Sequence, residues 1–259
     1  MSYNFVYNID VLGKNYLARE ISFIEYRNLV KNISTSDVDT IANAFETLLD
    51  TILLADYKIN LQQKFLILLK YRELILGKNI EFVANNVKIS YSIDTIFDFF
   101  NVEVIPFEYE CNDNIYKFLF PTKLTPHTDV FLNVVDSISS INNNKVTDLT
   151  KKGIENFPAL PVVDIYKRMT EHFELFIYDI KHIDYTISFF NTSALLLLKA
   201  IFSYSLQNFY DIEYSLRRCL NFTAADFNQY SYPECNLMLK LYMKEMADKE
   251  NSSKVESSV

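Results

Sequence analysis

Apolar residues in this chain recur at helical spacing over long stretches and alternate over short ones. Ser22 followed by Glu25 makes the S-x-x-E pattern of a capping box ahead of 23-FIEYRNLVKNI-33, which predicts a short helix there. After the capping side chains of 34-STSD-37, Val38, Ile41, Phe45, Leu48, Leu49 and Ile52 recur at spacings of three and four. They draw one apolar stripe on a helix from about Asp37 to Ala55. From Asn60 to Leu76 the pattern widens, with Leu61, Phe65, Leu68 and Leu69 on one side and Leu66, Ile67, Leu74 and Ile75 around the rest. A helix apolar on more than one face belongs at the centre of a fold. Gly77 then stands where a left-handed C-cap residue would, with Lys78 near the negative end of the helix dipole.

Past Gly77 the period shifts towards two in 79-NIEFV-83 and 87-VKISYSI-93. The intervening Asn85-Asn86 suits a turn because Asn tolerates positive φ. A second hairpin is predicted for 107-FEYEC-111 and 115-IYKFLFP-121, joined by 112-NDN-114. Its first strand sets Phe107 and Tyr109 opposite Glu108 and Glu110. Its second is apolar on both faces, with Ile115 and Leu119 on one and Tyr116, Phe118 and Phe120 on the other, which predicts cover on both sides.

Helical spacing returns in 128-TDVFLNVVDSISSI-141. The polar, Asn-rich 142-NNNKVTDLTKKG-153 reads as a loop and as the place for a hinge. Pro161 suits the first turn of a helix within 158-PALPVVDIYKRMTEHFELFIYDI-180, and Asn191 to Leu220 hold a further helix pair. Two more capping patterns follow, 223-TAAD-226 and 231-SYPE-234, the latter opening a helix through 237-LMLKLYMKEM-246. The tail from 248 to 259 lacks apolar content and is expected to be disordered. The fold class read from these patterns is α+β, predominantly α-helical with two small β-hairpins. The expected organisation is an N-terminal helical lobe with a hairpin over 1–100, a second hairpin and helix over 101–141, a C-terminal helical lobe over 154–247, and the tail.

The 259 residues, 49% of them hydrophobic, are enough for a substantial core. A net charge of -8 argues against a nucleic-acid partner, because phosphate neutralisation needs clustered Lys and Arg. The opening MSYNFVYNIDVLGKN lacks the charged and apolar regions of a signal peptide, so a cytoplasmic location is expected. Cys111, Cys219 and Cys235 are odd in number and far apart, as reduced thiols would be. The run from Phe65 to Leu76 is broken by Lys70, Arg72 and Glu73, and 194-ALLLLKAIFSYSL-206 contains Lys199. Both fall short of the roughly 18 uninterrupted apolar residues a membrane span needs.

With only Gly13, Gly77 and Gly153, the chain cannot form the clustered-glycine loops GxGxxG, GxxxxGK[ST] or GxSxG. Asp179 and His182 have the carboxylate-x-x-His spacing of bundle metal sites, but no second matching motif exists, and an exposed pair on a helix surface accounts for them. His127 within 125-TPHTD-129 is either a solvated loop histidine or a base paired with Asp129 or a distant nucleophile, and His172 stands alone. Arg217 and Arg218 read as a solvated helix face or a small anion contact. No catalytic residue, metal or cofactor is assigned. Tyr116, Phe118 and Phe120 are either a strand enclosed in the fold or partner-binding residues on a hairpin edge that recruits another chain by strand addition.

In its order of features the chain resembles the baseplate hub assembly proteins of T-even-type contractile-tailed bacteriophages. The resemblance rests on 65-FLILLKYRELILGKNIEF-82 with 87-VKISYSIDTI-96, an apolar helix, a glycine stop and a hairpin leading into an acidic helix start. It rests also on 209-FYDIEYSLRRCLNFTAADFNQYSYPECNLMLKLYMKEM-246, a helix, a capped turn and a final amphipathic helix. It implies a protein made in the infected host cytoplasm that binds baseplate hub proteins as a chaperone or as a minor virion component, without catalysis. The alternatives are a helical adaptor and an enzyme of hydrolase type with a dispersed His/carboxylate site.

Overall fold

The protein is described from a computed structural model, which covers residues 5–84, 87–146, 157, 161–180 and 184–256. It opens with a hairpin, β1 (Val6–Val11) and β2 (Lys14–Arg19), then α1 (Phe23–Ile33), α2 (Val38–Ile52) and α3 (Leu61–Leu76). The first of the two predicted hairpins, β3 (Asn79–Ala84) and β4 (Val87–Ser92), leads into α4 (Ile93–Phe100). The middle holds β5 (Phe107–Cys111), β6 (Asn114–Phe118), α5 (Val130–Asp136), β7 (Ile138–Ile141) and β8 (Asn144–Lys145). The remainder is α6 (Val162–His172), β9 (Tyr178–Ile180), β10 (Tyr185–Ile187), α7 (Ser193–Phe202), α8 (Leu206–Leu220), α9 (Asp226–Gln229) and α10 (Tyr232–Glu256).

The expectation of a predominantly helical chain with two small hairpins is corrected by this arrangement. About 53% of the protein is helical, and the strands among the described residues build four antiparallel sheets, one of them four-stranded in the order β5-β6-β7-β8. The physical reason is turn chemistry combined with short strands. Leu12–Gly13, Asn112–Asp113 and Asn142–Asn143 are pairs of consecutive positive-φ residues, the conformation of the tightest two-residue hairpin turns. The first and third of them nucleate hairpins that the apolar spacing conceals. β7 continues the helical spacing of α5, but the helix ends at Asp136, with Ser137 as its C-cap, and Ile138–Ile141 pair with β6 instead. Residues 174–180, expected to continue the helix that starts near Pro161, instead form a 3₁₀ turn at Glu174–Phe176 and the strand β9, which pairs with β10. Most of the expected hinge loop and the Asn85-Asn86 turn lie outside the described residues.

The helices of the first hundred residues form where their caps place them. Ser22 and Glu25 close the capping box on α1, Asp37 caps α2, and Asn60 forms a second box with Gln63 on α3. α3 is buried on most of its circumference, from Leu61 through Phe65 to Ile75, and packs against β1, α4 and α7. Each of its enclosed Leu, Ile and Phe side chains contributes on the order of 1.5–3 kcal/mol of hydrophobic stabilisation. The buried Gln62 amide, enclosed in this apolar setting, donates to the carbonyls of Phe100 and Val102 at 2.8 and 3.0 Å, so α3 also fixes the end of α4. Gly77 adopts φ 87° and ψ 167°, which is positive as expected but extended, in a region open to glycine alone.

An aromatic cluster ties the two ends of the chain together. Phe23, at the first turn of α1, lies 5.4 Å from Phe209, 5.2 Å from Phe227 and 6.1 Å from Tyr232, centroid to centroid. Its backbone N–H donates to the Tyr230 carbonyl at 2.8 Å. Among the described residues no helix is long and apolar enough to cross a membrane.

Candidate partner-binding surface

The residues singled out in the second hairpin are interior. Tyr116, Phe118 and Phe120 are 1%, 0% and 2% exposed, and so are not presented to a partner. Rings from later in the chain enclose them: Phe157 stands 5.4 Å from Tyr116, and Phe173 and Phe189 each stand 4.8 Å from Phe120. The expected cover on both faces is found on one, because Ile115 across the strand is 41% exposed.

The ionic candidates are placed as follows. His172 ends α6 and its ring Nε2 lies 2.9 Å from the Ile105 carbonyl. The backbone of His127 exchanges two 2.6 Å hydrogen bonds with the Asn133 side chain, and Asp129 caps α5 through the Phe131 N–H. Asp179 sits on β9, where it accepts from the Thr186 hydroxyl at 2.6 Å, so it is on a strand and shares no helical face with His182. His182 itself lies outside the described residues. Among the described residues no group of three or more His, Cys, Asp or Glu is placed to hold a metal ion. Arg217 is bound to Glu213 at 2.8 Å, and Arg218 donates to the Tyr214 hydroxyl at 3.0 Å. That is the solvated helix face expected of the pair.

Two concave features remain. A cleft of about 800 Å³ lies beside the α2–α3 connection and β7, with Lys14, Asp50, Asp56 and Lys145 among its lining. Its charges offset one another: Lys64 pairs with Glu46 at 2.8 Å, and Asp136 accepts from the Thr122 and Lys123 amides. A smaller pocket of about 370 Å³ is lined by Arg72, Ile75, Leu76, Tyr204, Tyr232 and Leu237, among others. Neither contains a histidine.

α10 carries exposed apolar side chains beyond its first turns. Its first turn is anchored by the buried Tyr232 and Cys235, and by Ser231 and Glu234, whose carboxylate accepts the Ser231 N–H at 2.8 Å. Burial pushes the Cys235 thiol up to about 12, so it packs as a neutral side chain. From Met243 through Lys249 every residue is exposed, as the helix leaves the body. Leu237, Leu241, Met243 and Met246 therefore present apolar side chains to solvent, and Tyr204, Tyr210 and Tyr214 are exposed on α8 and its approach. The sequence showed an amphipathic helix here. What it did not show is that the body covers only the first turns, leaving the apolar residues beyond them without cover.

Beside the base of α10 lies a cluster of polar groups. The Glu20 carboxyl is held above the usual carboxylate range by burial and by the neighbouring Glu234, although hydrogen bonds with Ser231 and Tyr7 oppose this. The Tyr7 phenol is pushed up to about 12 by burial and by Glu20.

Fold and surface together describe a mixed α+β protein whose C-terminal helix carries four exposed large apolar side chains, Leu237, Leu241, Met243 and Met246. The family model described as "T4 bacteriophage base plate protein" matches residues 1–194, three quarters of the chain, and the chain belongs to that family. The match includes the middle of the chain, with its four-stranded sheet, and stops before α8 and α10. Neither the curated proteins nor the solved structures yield a match.

Proposed function

We propose that this baseplate protein works by protein–protein contact during assembly of the baseplate hub in the infected cell, as a chaperone of hub proteins or as a minor part of the hub, without a catalytic step. The observation that carries the reading is the outer half of α10, where Leu241 and Met243 are 57% and 60% exposed on a helix clear of the body. Leu241 shares a face of the helix with the exposed Leu237, four residues before it, and such an apolar face is what a helix-in-groove contact requires, with a few anchors supplying most of the affinity. Family membership supports partners within the baseplate.

The test is quantitative mass spectrometry of infected-cell lysates, separated into free protein, baseplate intermediates and finished particles, for the natural chain and for Leu241→Asp with Met243→Asp. The natural chain is expected with intermediates, and the double variant, folded, in the free fraction. Presence in intermediates alone marks a chaperone, and presence in particles marks a structural component. A double variant that still enters intermediates at the natural level would refute the role given to α10.

A further inference from the structure

Arg72 is 9% exposed, and no carboxylate among the described residues pairs with it. Its Nε donates to the Ile201 carbonyl at 3.2 Å and its Nη1 donates to the Gly77 carbonyl. Nη2 has no partner among the described residues. No sealed side-chain nitrogen or oxygen among the described residues lacks a partner, so Nη2 is not sealed off, and Arg72 is one of the residues lining the pocket. A buried cation held only by neutral carbonyls is costly, and an opposite charge supplied from outside lowers that cost.

The rest of the pocket narrows the chemistry of what would enter. Ile75, Leu76, Pro233 and Leu237 give apolar walls, Tyr204 and Tyr232 give aromatic ones, and the exposed Lys240 adds a second positive charge at the rim. Arg72 and Lys240 are the charged residues of the lining, while Glu20 and Glu234 stand beside the base of α10 outside it. A free inorganic anion would leave the apolar walls unused, whereas an acidic side chain next to an apolar one would fill both.

We propose that the pocket at the base of α10 binds a carboxylate side chain of a partner protein together with an adjacent apolar residue, with the Arg72 guanidinium holding the carboxylate and Lys240 steering it in. The planar guanidinium presents parallel N–H groups matched to a carboxylate. The inference rests on the protein-contact reading of α10 and names the chemistry of the partner that the helix brings in.

The test uses the full-length chain and three probes: the peptide acetyl-Phe-Asp-Leu-amide, its Asn counterpart, and inorganic phosphate. Binding is followed by the NMR signal of the Arg72 Nε–H, assigned by its loss in Arg72→Lys. The Asp peptide is expected to bind at least about tenfold tighter than the Asn peptide and to move the signal. Lys240→Glu, at an exposed position that leaves the interior untouched, is expected to abolish that preference. Equal affinity for the two peptides, an unmoved Arg72 signal, or phosphate acting as well as the Asp peptide would each overturn the proposal. Leu241 lies outside the pocket, which separates the two readings. If the peptides are not distinguished while the Leu241→Asp, Met243→Asp variant still leaves the intermediates, the pocket inference falls and the docking helix stands. The reverse pattern removes the docking helix and leaves the carboxylate site.

Discussion

The Tyr71 hydroxyl, carried by the central helix α3, accepts the backbone N–H of Ile21 at 2.9 Å and donates to the Arg19 carbonyl at 3.1 Å. One phenol thus satisfies both strands of polar demand where β2 turns into α1. Tyr71→Phe would leave the buried Ile21 N–H without its acceptor. The expected loss is about 1–3 kcal/mol, read as a lower urea midpoint with an unchanged slope.

Phe120 shows what the interior position of the second hairpin entails. With rings of Phe173, Phe189 and Phe190 around it, Phe120→Ala would open a cavity and cost about 3–5 kcal/mol. Any loss of assembly in this variant should track its unfolded fraction, measured by denaturant titration of the purified chain. A stably folded Phe120→Ala protein that fails to assemble would restore the hairpin as a contact site.

At Gly77 the backbone alone sets the penalty. An added Cβ would meet nothing within 4 Å, yet φ 87° with ψ 167° is strained for any other residue. Gly77→Ala should therefore cost roughly 1–3 kcal/mol without any steric repacking. A melting temperature matching that of the natural chain would contradict this.

Glu25 and Glu20 should tilt the pH dependence of stability in opposite directions. Burial works against the charged Glu25, but the bidentate Arg19 at 2.6 and 3.0 Å and the Ser22 N–H at 2.8 Å outweigh it and lower its pKa. Its contribution is present above the ordinary glutamate value of about 4.3 and is lost as pH falls below it. Glu20 is raised by burial and by Glu234, so its contribution is present below that value and is lost as pH rises above it. Relative to the natural chain, Glu20→Gln should gain stability on going from pH 4 to pH 7, and Glu25→Gln should lose it. Chemical denaturation at both pH values decides the matter, and parallel curves for the two variants would disprove it.

The elements that could be read in advance are those whose information is local. Ser22, Asp37 and Asn60 carry the starts of α1, α2 and α3 in their own side chains, and the wide apolar surface of α3 announces its central place. β7 could not be read because Ile138 and Ile141 extend the apolar spacing of α5 past the point where the helix ends. Strands of three residues such as β9 and β10 are too short to establish a period. For Tyr116, Phe118 and Phe120 the sequence posed two outcomes, and the deciding neighbours, Phe157, Phe173 and Phe189, are 39 to 69 positions away from the rings they touch. The pocket at Arg72 was hidden for a similar reason, since its walls come from α3, the α7–α8 connection and α10.

The hydrogen bond from the Phe23 N–H to the Tyr230 carbonyl has a meaning for biosynthesis. The first helix of the chain receives part of its cap, and its leading aromatic residue receives its neighbours, from residues translated some two hundred codons later. At roughly 5–20 residues per second, a ribosome needs on the order of ten seconds or more to deliver them. Until then the Phe23 side chain lacks its permanent surroundings, and the nascent protein depends on its own α1–α2–α3 packing to stay out of trouble. The interior around Phe23 is thus completed only when Phe209, Phe227 and the Tyr230–Tyr232 segment have been made.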